Sequence, residues 1–166
     1  MGRVIADILR TASIDEVIAV GDSQVTADSL GLSFVADSYP GEGPLGGLIS
    51  AMREVSTGIL CVLPCDVPRV KASRIEQLVD AVMESGHIDL AVLTATREHW
   101  LCSSWRVDTC LPVLEQCFAN GERAIHRAVG SLGIQRVTVT DAEMINVNTM
   151  QQVREIELGD ISEFGD

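Results

Sequence analysis

A glycine-rich stretch, Asp37–Gly47, has the composition of a backbone that approaches a ligand closely. Four of the seven residues at 41–47 are glycines, and an apolar stretch follows directly. A backbone without Cβ atoms can lie flat against a ligand, and free N–H groups near Leu45 can bind a base edge or an anion. The segment matches neither a Walker A loop nor a GxGxxG turn at a strand-to-helix junction. A flexible loop before a helix is the alternative interpretation.

A second segment, LPCDVP at 63–68, holds Asp66 just beyond an apolar run. Two prolines stiffen the loop, which suits a carboxylate that ligates a metal. Mg²⁺ prefers hard oxygen ligands, with one or two carboxylates and the phosphates of a substrate. The alternative is that Asp66 caps a turn, a position that aspartate favours.

A third segment, INVNT at 145–149, alternates two asparagines with apolar residues. In extended chain Asn146 and Asn148 point to the same side. Their amide oxygens can ligate Mg²⁺ or accept a hydrogen bond from a ligand hydroxyl. An asparagine cap before a final helix is the alternative.

The composition narrows the class of protein. The chain is 46% hydrophobic, has no apolar run long enough for a membrane span and shows no signal peptide, which predicts a soluble cytoplasmic protein. A net charge of −12 argues against nucleic acid as a partner. The five cysteines are expected to be reduced, buried thiols.

Apolar periodicity predicts helices and strands that alternate along the chain. The predicted helices cover 4–11, 24–30, 44–55, 73–84, 107–120, 123–132 and 149–156. The predicted strands cover 16–20, 33–36, 59–63, 89–94, 99–106 and 136–140. The strand at 99–106 is expected to extend the sheet. This order favours a three-layer αβα domain over 1–158 with a mostly parallel Rossmann-like sheet, followed by an acidic tail at 159–166.

The three segments follow strands, and ligands of open α/β sheets bind outside the carboxyl ends of the strands. We therefore expect the segments to meet at one edge of the sheet. Trp105 is expected in the core, and the three histidines are expected to be structural or surface residues. Arg123 is a candidate phosphate contact.

In their order and spacing, these motifs resemble the molybdenum cofactor guanylyltransferases, the MobA family. The resemblance is carried by RVIADILRTASIDEVIAVGD (3–22), GPLGGL (43–48), LPCDVP (63–68), HWLCSSWR (99–106), GERAIHRAV (121–129) and INVNT (145–149). Each motif alone is loose, but their order over nearly all of 1–156 is fairly specific. The resemblance implies a fold of the nucleotide-diphospho-sugar transferase type.

Such enzymes transfer GMP from GTP to molybdopterin with Mg²⁺ and release pyrophosphate. The resemblance implies that the nucleotide-binding residues are Asp37, Gly43, Pro44, Leu45 and Gly46. It further implies that Asp66 is the catalytic metal ligand, and that Asn146 and Asn148 lie near the transferring phosphate and the pterin. GTP and molybdopterin would be the ligands, with other molybdenum cofactor biosynthesis proteins as further partners.

One part of the family pattern is not matched. The family begins with a strand that runs into LAGG, an arginine-bearing loop and an Asp-Lys pair, whereas this sequence starts inside the expected first helix. The first strand of the sheet is therefore expected to be missing. Three explanations are open: the sequence lacks its natural start, another chain supplies a strand, or the chain is a homologue that binds without catalysing.

Three functional hypotheses follow. The first is GTP-dependent nucleotidyl transfer to molybdopterin. The second is a catalytically impaired, truncated homologue that binds nucleotide, pterin or a partner protein. The third is a nucleotidyltransferase that uses CTP or another phosphorylated acceptor.

Overall fold

A computed structural model describes residues 2–21 and 23–147 of the protein. Its helices are α1 (Gly2–Thr11), α2 (Gln24–Leu30), α3 (Pro44–Glu54), α4 (Ala72–Glu84), α5 (Val107–Ala119) and α6 (Ile125–Ala128). Its strands are β1 (Ile18–Gly21), β2 (Ser33–Ala36), β3 (Ile59–Val62), β4 (Leu90–Thr94), β5 (Glu98–Arg106) and β6 (Ile134–Thr138), and a 3₁₀ turn covers Asp141–Met144. The predicted helix at 149–156, Asn148 and the acidic tail lie outside the described residues.

Local chemistry sets both ends of α2 and the start of α3. Ser23 caps α2, accepting a hydrogen bond from the Thr26 N–H, and Gly31 ends it in the left-handed conformation. Pro44 occupies the first turn of α3, where its missing N–H has no helical partner. Both ends of α2 and the start of α3 are thus specified by local chemistry as well as by the apolar faces of the helices.

The larger sheet has the order β3-β5-β4-β6. β4 and β6 are parallel, whereas β5 is antiparallel to both β3 and β4. The prediction that 99–106 extends the sheet is wrong, because β5 lies between two other strands. The three residues at 95–97 join β4 to β5, and so short a connection can only make an antiparallel hairpin.

Two apolar clusters cover the two faces of this sheet and give the fold three layers. One contains α3, α5 and the side chain of Trp105, which is 0% exposed, as expected. The other contains α4 together with the partly buried residues of α1. The predicted αβα arrangement is confirmed.

The predicted helix at 123–132 is shorter than expected. The Glu122 carboxylate accepts hydrogen bonds from the N–H groups of Arg123 and Ala124, and Ala124 is extended. The helix therefore starts only at Ile125.

β1 and β2 form a separate, parallel two-stranded sheet. Within the described residues β1 pairs only with β2, and β3 pairs only with β5. A cavity of about 550 Å³, lined by Ile18 of β1 and by Ile59, Leu60 and Cys61 of β3, separates the two sheets. No ladder therefore joins the two sheets within the described residues.

No helix in the described part of the chain is long and apolar enough to cross a membrane.

Candidate active site

The three segments singled out from the sequence meet around one cavity at the carboxyl ends of the strands. Gly43 and Pro44 follow β2, Pro64 and Asp66 follow β3, and Asn146 follows β6. The cavity has a volume of about 620 Å³. A ligand in it would touch the glycine turn, the aspartate loop and the asparagine segment together.

Asp66 lies in the turn that follows β3. Its main-chain carbonyl accepts a hydrogen bond of 2.7 Å from the Val147 N–H, which ties the aspartate loop to the asparagine segment. The neighbouring Val67 is buried and anchors the loop in the core. The Asp66 carboxylate is half-buried and makes no ion pair with any residue of 2–21 or 23–147. It is therefore available to a ligand.

The glycines of the loop have different physical roles. Gly41 and Gly43 adopt φ values of +81° and +84°, which L side chains rarely adopt. A Cβ on Gly46 would lie 2.8 Å from the Tyr39 Cβ, so glycine there is required by packing within the protein. A Cβ on Gly47 would meet nothing within 4 Å.

Two predicted nucleotide-binding residues do not line the cavity with their side chains. The Asp37 carboxylate accepts hydrogen bonds from the Tyr39 N–H at 2.9 Å and from the Ser50 hydroxyl at 3.4 Å. Leu45 is 0% exposed, and its side chain packs from α3 into the core. Gly46 is buried as well, so Leu45 and Gly46 can offer a nucleotide only their main chain.

A capping box holds the asparagine segment in place. The Thr140 hydroxyl accepts from the Glu143 N–H, and the Glu143 carboxylate accepts from the Thr140 N–H. Arg74 of α4 donates to the same carboxylate at 3.0 Å. This hydrogen bond is the main reason that the pKa of Glu143 falls to about 2. The exposed Asn146 lies three residues beyond, at the cavity wall.

One wall of the cavity was missed from the sequence. Arg97, His99 and Trp100 come from the β4–β5 hairpin, and His126 comes from α6. Burial lowers the pKa of His99, and the charge of Arg97 lowers it further, while Asp141 opposes them. The short connection between β4 and β5 could have predicted this wall. A hairpin that follows β4 must turn at the carboxyl ends of the parallel strands, where the cavity lies.

Arg123 also lines the cavity, but its guanidinium is already engaged. It stacks 3.9 Å from the centre of the Phe118 ring and donates to the Phe118 carbonyl at 2.9 Å. It also pairs with Glu42 of the glycine loop. Arg123 therefore holds the loop against the start of α6.

The side chains at the cavity fit a divalent cation that is shared with a substrate. No cluster of three histidine, cysteine, aspartate or glutamate side chains exists in the described ranges, 2–21 and 23–147. Glu98, the other carboxylate of the wall, pairs with Arg136 at 3.2 Å. Asp66 is therefore the carboxylate of the described cavity lining that has no ion pair, and the exposed Asn146 adds an amide oxygen. One carboxylate suits Mg²⁺ that is completed by phosphate oxygens and water.

The architecture is a three-layer, Rossmann-like α/β fold with a cavity at the carboxyl ends of its strands, and solved structures share the fold. Molybdopterin-guanine dinucleotide biosynthesis protein A from Archaeoglobus fulgidus superimposes with a TM-score of 0.71 at 21% identity, over 93% of this chain and 84% of that chain. CMP:2-keto-3-deoxy-manno-octonic acid synthetase in complex with CTP gives 0.71 at 14% identity, over 96% and 87%.

Sequence comparison identifies the family. Residues 1–137 match the MobA-like NTP transferase domain. A molybdenum cofactor guanylyltransferase from Pseudomonas putida (strain GB-1) is 30% identical over 138 residues, which cover 81% of this chain and 70% of that protein. The chain belongs to the MobA-like NTP transferase family, a family of nucleotidyltransferases.

Proposed function

We propose that this protein transfers GMP from GTP to the phosphate of molybdopterin, with Mg²⁺, and releases pyrophosphate. Membership in the MobA-like family and the similarity to a molybdenum cofactor guanylyltransferase support the reaction class. The observation that carries the proposal is the single cavity bounded by Gly43, Asp66 and Asn146. It brings together the three segments from which both substrates would be held.

The glycine turn is the proposed site of the nucleotide. Pro44 has no N–H, and the Gly46 N–H is bonded to the Gly43 carbonyl at 3.2 Å. The Leu45 N–H has no backbone acceptor in the described chain and lies in the first turn of an 11-residue helix. A helix start with a free N–H attracts an acceptor atom of a base or an anion.

Asp66 is the proposed ligand of the metal. When bound, Mg²⁺ would neutralise the charge of the reacting phosphates, a contribution of several kcal/mol. The chain's own part is to present one half-buried carboxylate on a loop fixed by Val67 and by the hydrogen bond from Val147. Such fixed positioning supplies much of the catalysis in phosphoryl transfer.

The reaction needs no protein nucleophile. An oxygen of the acceptor phosphate attacks the α-phosphorus of GTP, and the bond from that phosphorus to pyrophosphate breaks. Cys102 lines the cavity, and burial raises the pKa of its thiol to about 12, with the charge of Asp66 adding to the effect. Cys102 thus stays protonated, which is consistent with direct transfer between the two substrates.

The test is pyrophosphate release from GTP in the presence of Mg²⁺ and molybdopterin. Asp66→Asn should reduce the rate at least about a hundredfold, because the metal contributes several kcal/mol, without changing the circular dichroism spectrum. Asp28→Asn, an exposed carboxylate of α2, is the matched control and should retain the full rate. Undiminished turnover of Asp66→Asn would remove the metal role from this residue.

Two observations favour alternative functions. Of the arginines at the cavity, Arg123 and Arg127 pair with Glu42 and Glu122, which leaves few cations for a triphosphate and favours binding without turnover. A neighbour with the same fold binds CTP. Thermal shifts with GTP and with CTP separate the nucleotides, and a GTP shift without pyrophosphate release would indicate a binding protein.

A further inference from the structure

The chain just before the glycine turn is tied by two side chains to the end of α5 and the start of α6. The Glu42 N–H donates to the Tyr39 carbonyl at 3.0 Å, which closes a compact bend. At one end of this bend the Tyr39 ring packs on the Phe118 ring, with the ring centroids 4.5 Å apart. At the other end the Glu42 carboxylate pairs with Arg123. The bend is therefore held at both ends.

Arg123 is fixed by contacts that do not involve the glycine loop. Its guanidinium lies 3.9 Å from the centre of the Phe118 ring and donates to the carbonyls of Phe118 and Glu122, both at 2.9 Å. Its main-chain N–H donates to the Glu122 carboxylate at 2.7 Å. The pair with Glu42 thus joins the loop to an arginine that is already held in place. We call Tyr39, Glu42, Phe118 and Arg123 the latch.

The latch lies directly beside the residues that a ligand in the cavity would touch. Gly43 and Pro44, which follow Glu42 in the chain, line the cavity. Gly43 has a φ of +84° and a ψ of −178°. Glycine has more conformations open to it than other residues, so the contacts around Gly43 must select this one. Release of Glu42 would therefore loosen the turn at the cavity wall.

The pair of Glu42 and Arg123 distinguishes two roles for the arginine, because the roles have opposite consequences. If Arg123 bound a phosphate, Glu42 would compete with that phosphate, and removal of the Glu42 charge would tighten binding. If Arg123 positions the turn, removal of the Glu42 charge would weaken binding. The contacts favour positioning, since Nε donates to Glu42 and Nη1 donates to two main-chain carbonyls.

We propose that Arg123 is a positioning residue, which holds the glycine turn in its binding conformation before a nucleotide arrives. This role rests on the proposed nucleotide site at that turn. A protein whose binding-competent form is only partly populated binds its ligand more weakly, in proportion to that fraction. Preorganisation by the latch thus raises the affinity without a further contact to the nucleotide.

The first experiment measures amide hydrogen exchange without a ligand. Glu42→Gln should speed exchange of the hydrogen-bonded amides of Tyr39 and Gly46 roughly two- to fivefold, the range for loss of one exposed ion pair. Glu115→Gln is the matched control, because it breaks the half-exposed pair of Glu115 with Arg53, which joins α3 to α5. It should leave both amides unchanged. Equal exchange in Glu42→Gln and the unaltered protein would overturn the latch.

The second experiment measures the Kd of GTP, with CTP in parallel. Glu42→Gln should bind the nucleotide roughly two- to fivefold more weakly, whereas Glu115→Gln should match the unaltered protein. Arg123→Gln should bind at least as weakly as Glu42→Gln. The double variant should bind no more weakly than Arg123→Gln alone, because both changes remove the same pair. In turnover, Glu42→Gln should raise the KM for GTP by the same factor and leave kcat unchanged.

Tighter nucleotide binding by Glu42→Gln would overturn the proposal, because it would mean that the freed Arg123 binds a phosphate. Additive losses in the double variant would overturn it as well, since the two members of one pair must be coupled. Failure of the proposed function has a different signature, which is nucleotide binding without pyrophosphate release. The exchange and Kd measurements decide the role of Arg123 in that case too, because neither requires turnover.

Discussion

At the scale of single residues, two glycines of the glycine-rich stretch Asp37–Gly47 make opposite predictions. Gly43 has a φ of +84° and a ψ of −178°, a conformation that is essentially restricted to glycine. Gly43→Ala should lower the free energy of unfolding by about 1–3 kcal/mol. Urea denaturation of the purified variant, followed by circular dichroism, measures this loss.

Gly47 should respond in the opposite way. It lies inside α3 with open space where a Cβ would stand. Gly47→Ala should therefore raise the free energy of unfolding by about 0.5–1 kcal/mol, because alanine loses less backbone entropy in a helix. A loss of stability would contradict this, and a stable variant that no longer shows a thermal shift with GTP would mean that the ligand needs the space.

Residue patterns predicted part of the site and missed the rest for identifiable reasons. Asp66 and Asn146 follow strands of the parallel set, so the strand-end rule places them at one edge without knowledge of packing. Gly46 was predicted to bind the ligand, but glycine is needed there because a Cβ would collide with Tyr39. The spacing of residues in the sequence cannot reveal such a contact. Arg97 was missed because the connection at 95–97 was not identified as a hairpin at the carboxyl end of β4.

At the scale of elements, the 3₁₀ turn at Asp141–Met144 should give the protein a measurable pH dependence. Arg74 holds the pKa of Glu143 at about 2 in the folded protein, below its ordinary value of 4.5. A carboxyl with a lowered pKa stabilises the fold at pH values above the unfolded pKa. That stabilisation is lost as the pH falls from about 5 towards 2.

Glu143→Gln should therefore reduce stability at pH 7 by about 1–3 kcal/mol, the range for hydrogen bonds to charged groups. The difference from the unaltered protein should shrink as urea denaturation is repeated at pH 5, 4 and 3. Glu76→Gln, on the exposed side of α4, is the control and should change little. A constant difference across this pH range would contradict the assignment to the Arg74 pair.

The order of elements was predictable because each apolar face repeats with the period of its own element. In α4 the buried Ile75, Leu78 and Val82 are three and four residues apart. Strand pairing was less predictable, because no local pattern in the sequence HWLCSSWR indicates that this strand lies between β3 and β4. Those contacts arise from the hairpin and from the burial of Trp105, both of which are properties of the assembled fold.

At the scale of the whole molecule, the divided sheet predicts two levels of local stability. Leu90 to Leu93 of β4 are each 0% exposed and are paired on both edges, by β5 and β6. β1 is half-buried at three positions, exposed at Val20 and paired on one edge within the described chain. Amides of such weakly covered strands exchange through partial opening rather than global unfolding.

Hydrogen exchange in increasing, subdenaturing urea should separate the two parts. Amides of β1 and β2 should exchange with opening free energies at least about 2 kcal/mol below those of β4, within the range known for local openings. If β1 and β4 share one opening free energy, the molecule unfolds as a single unit and the separation into two sheets has no energetic consequence.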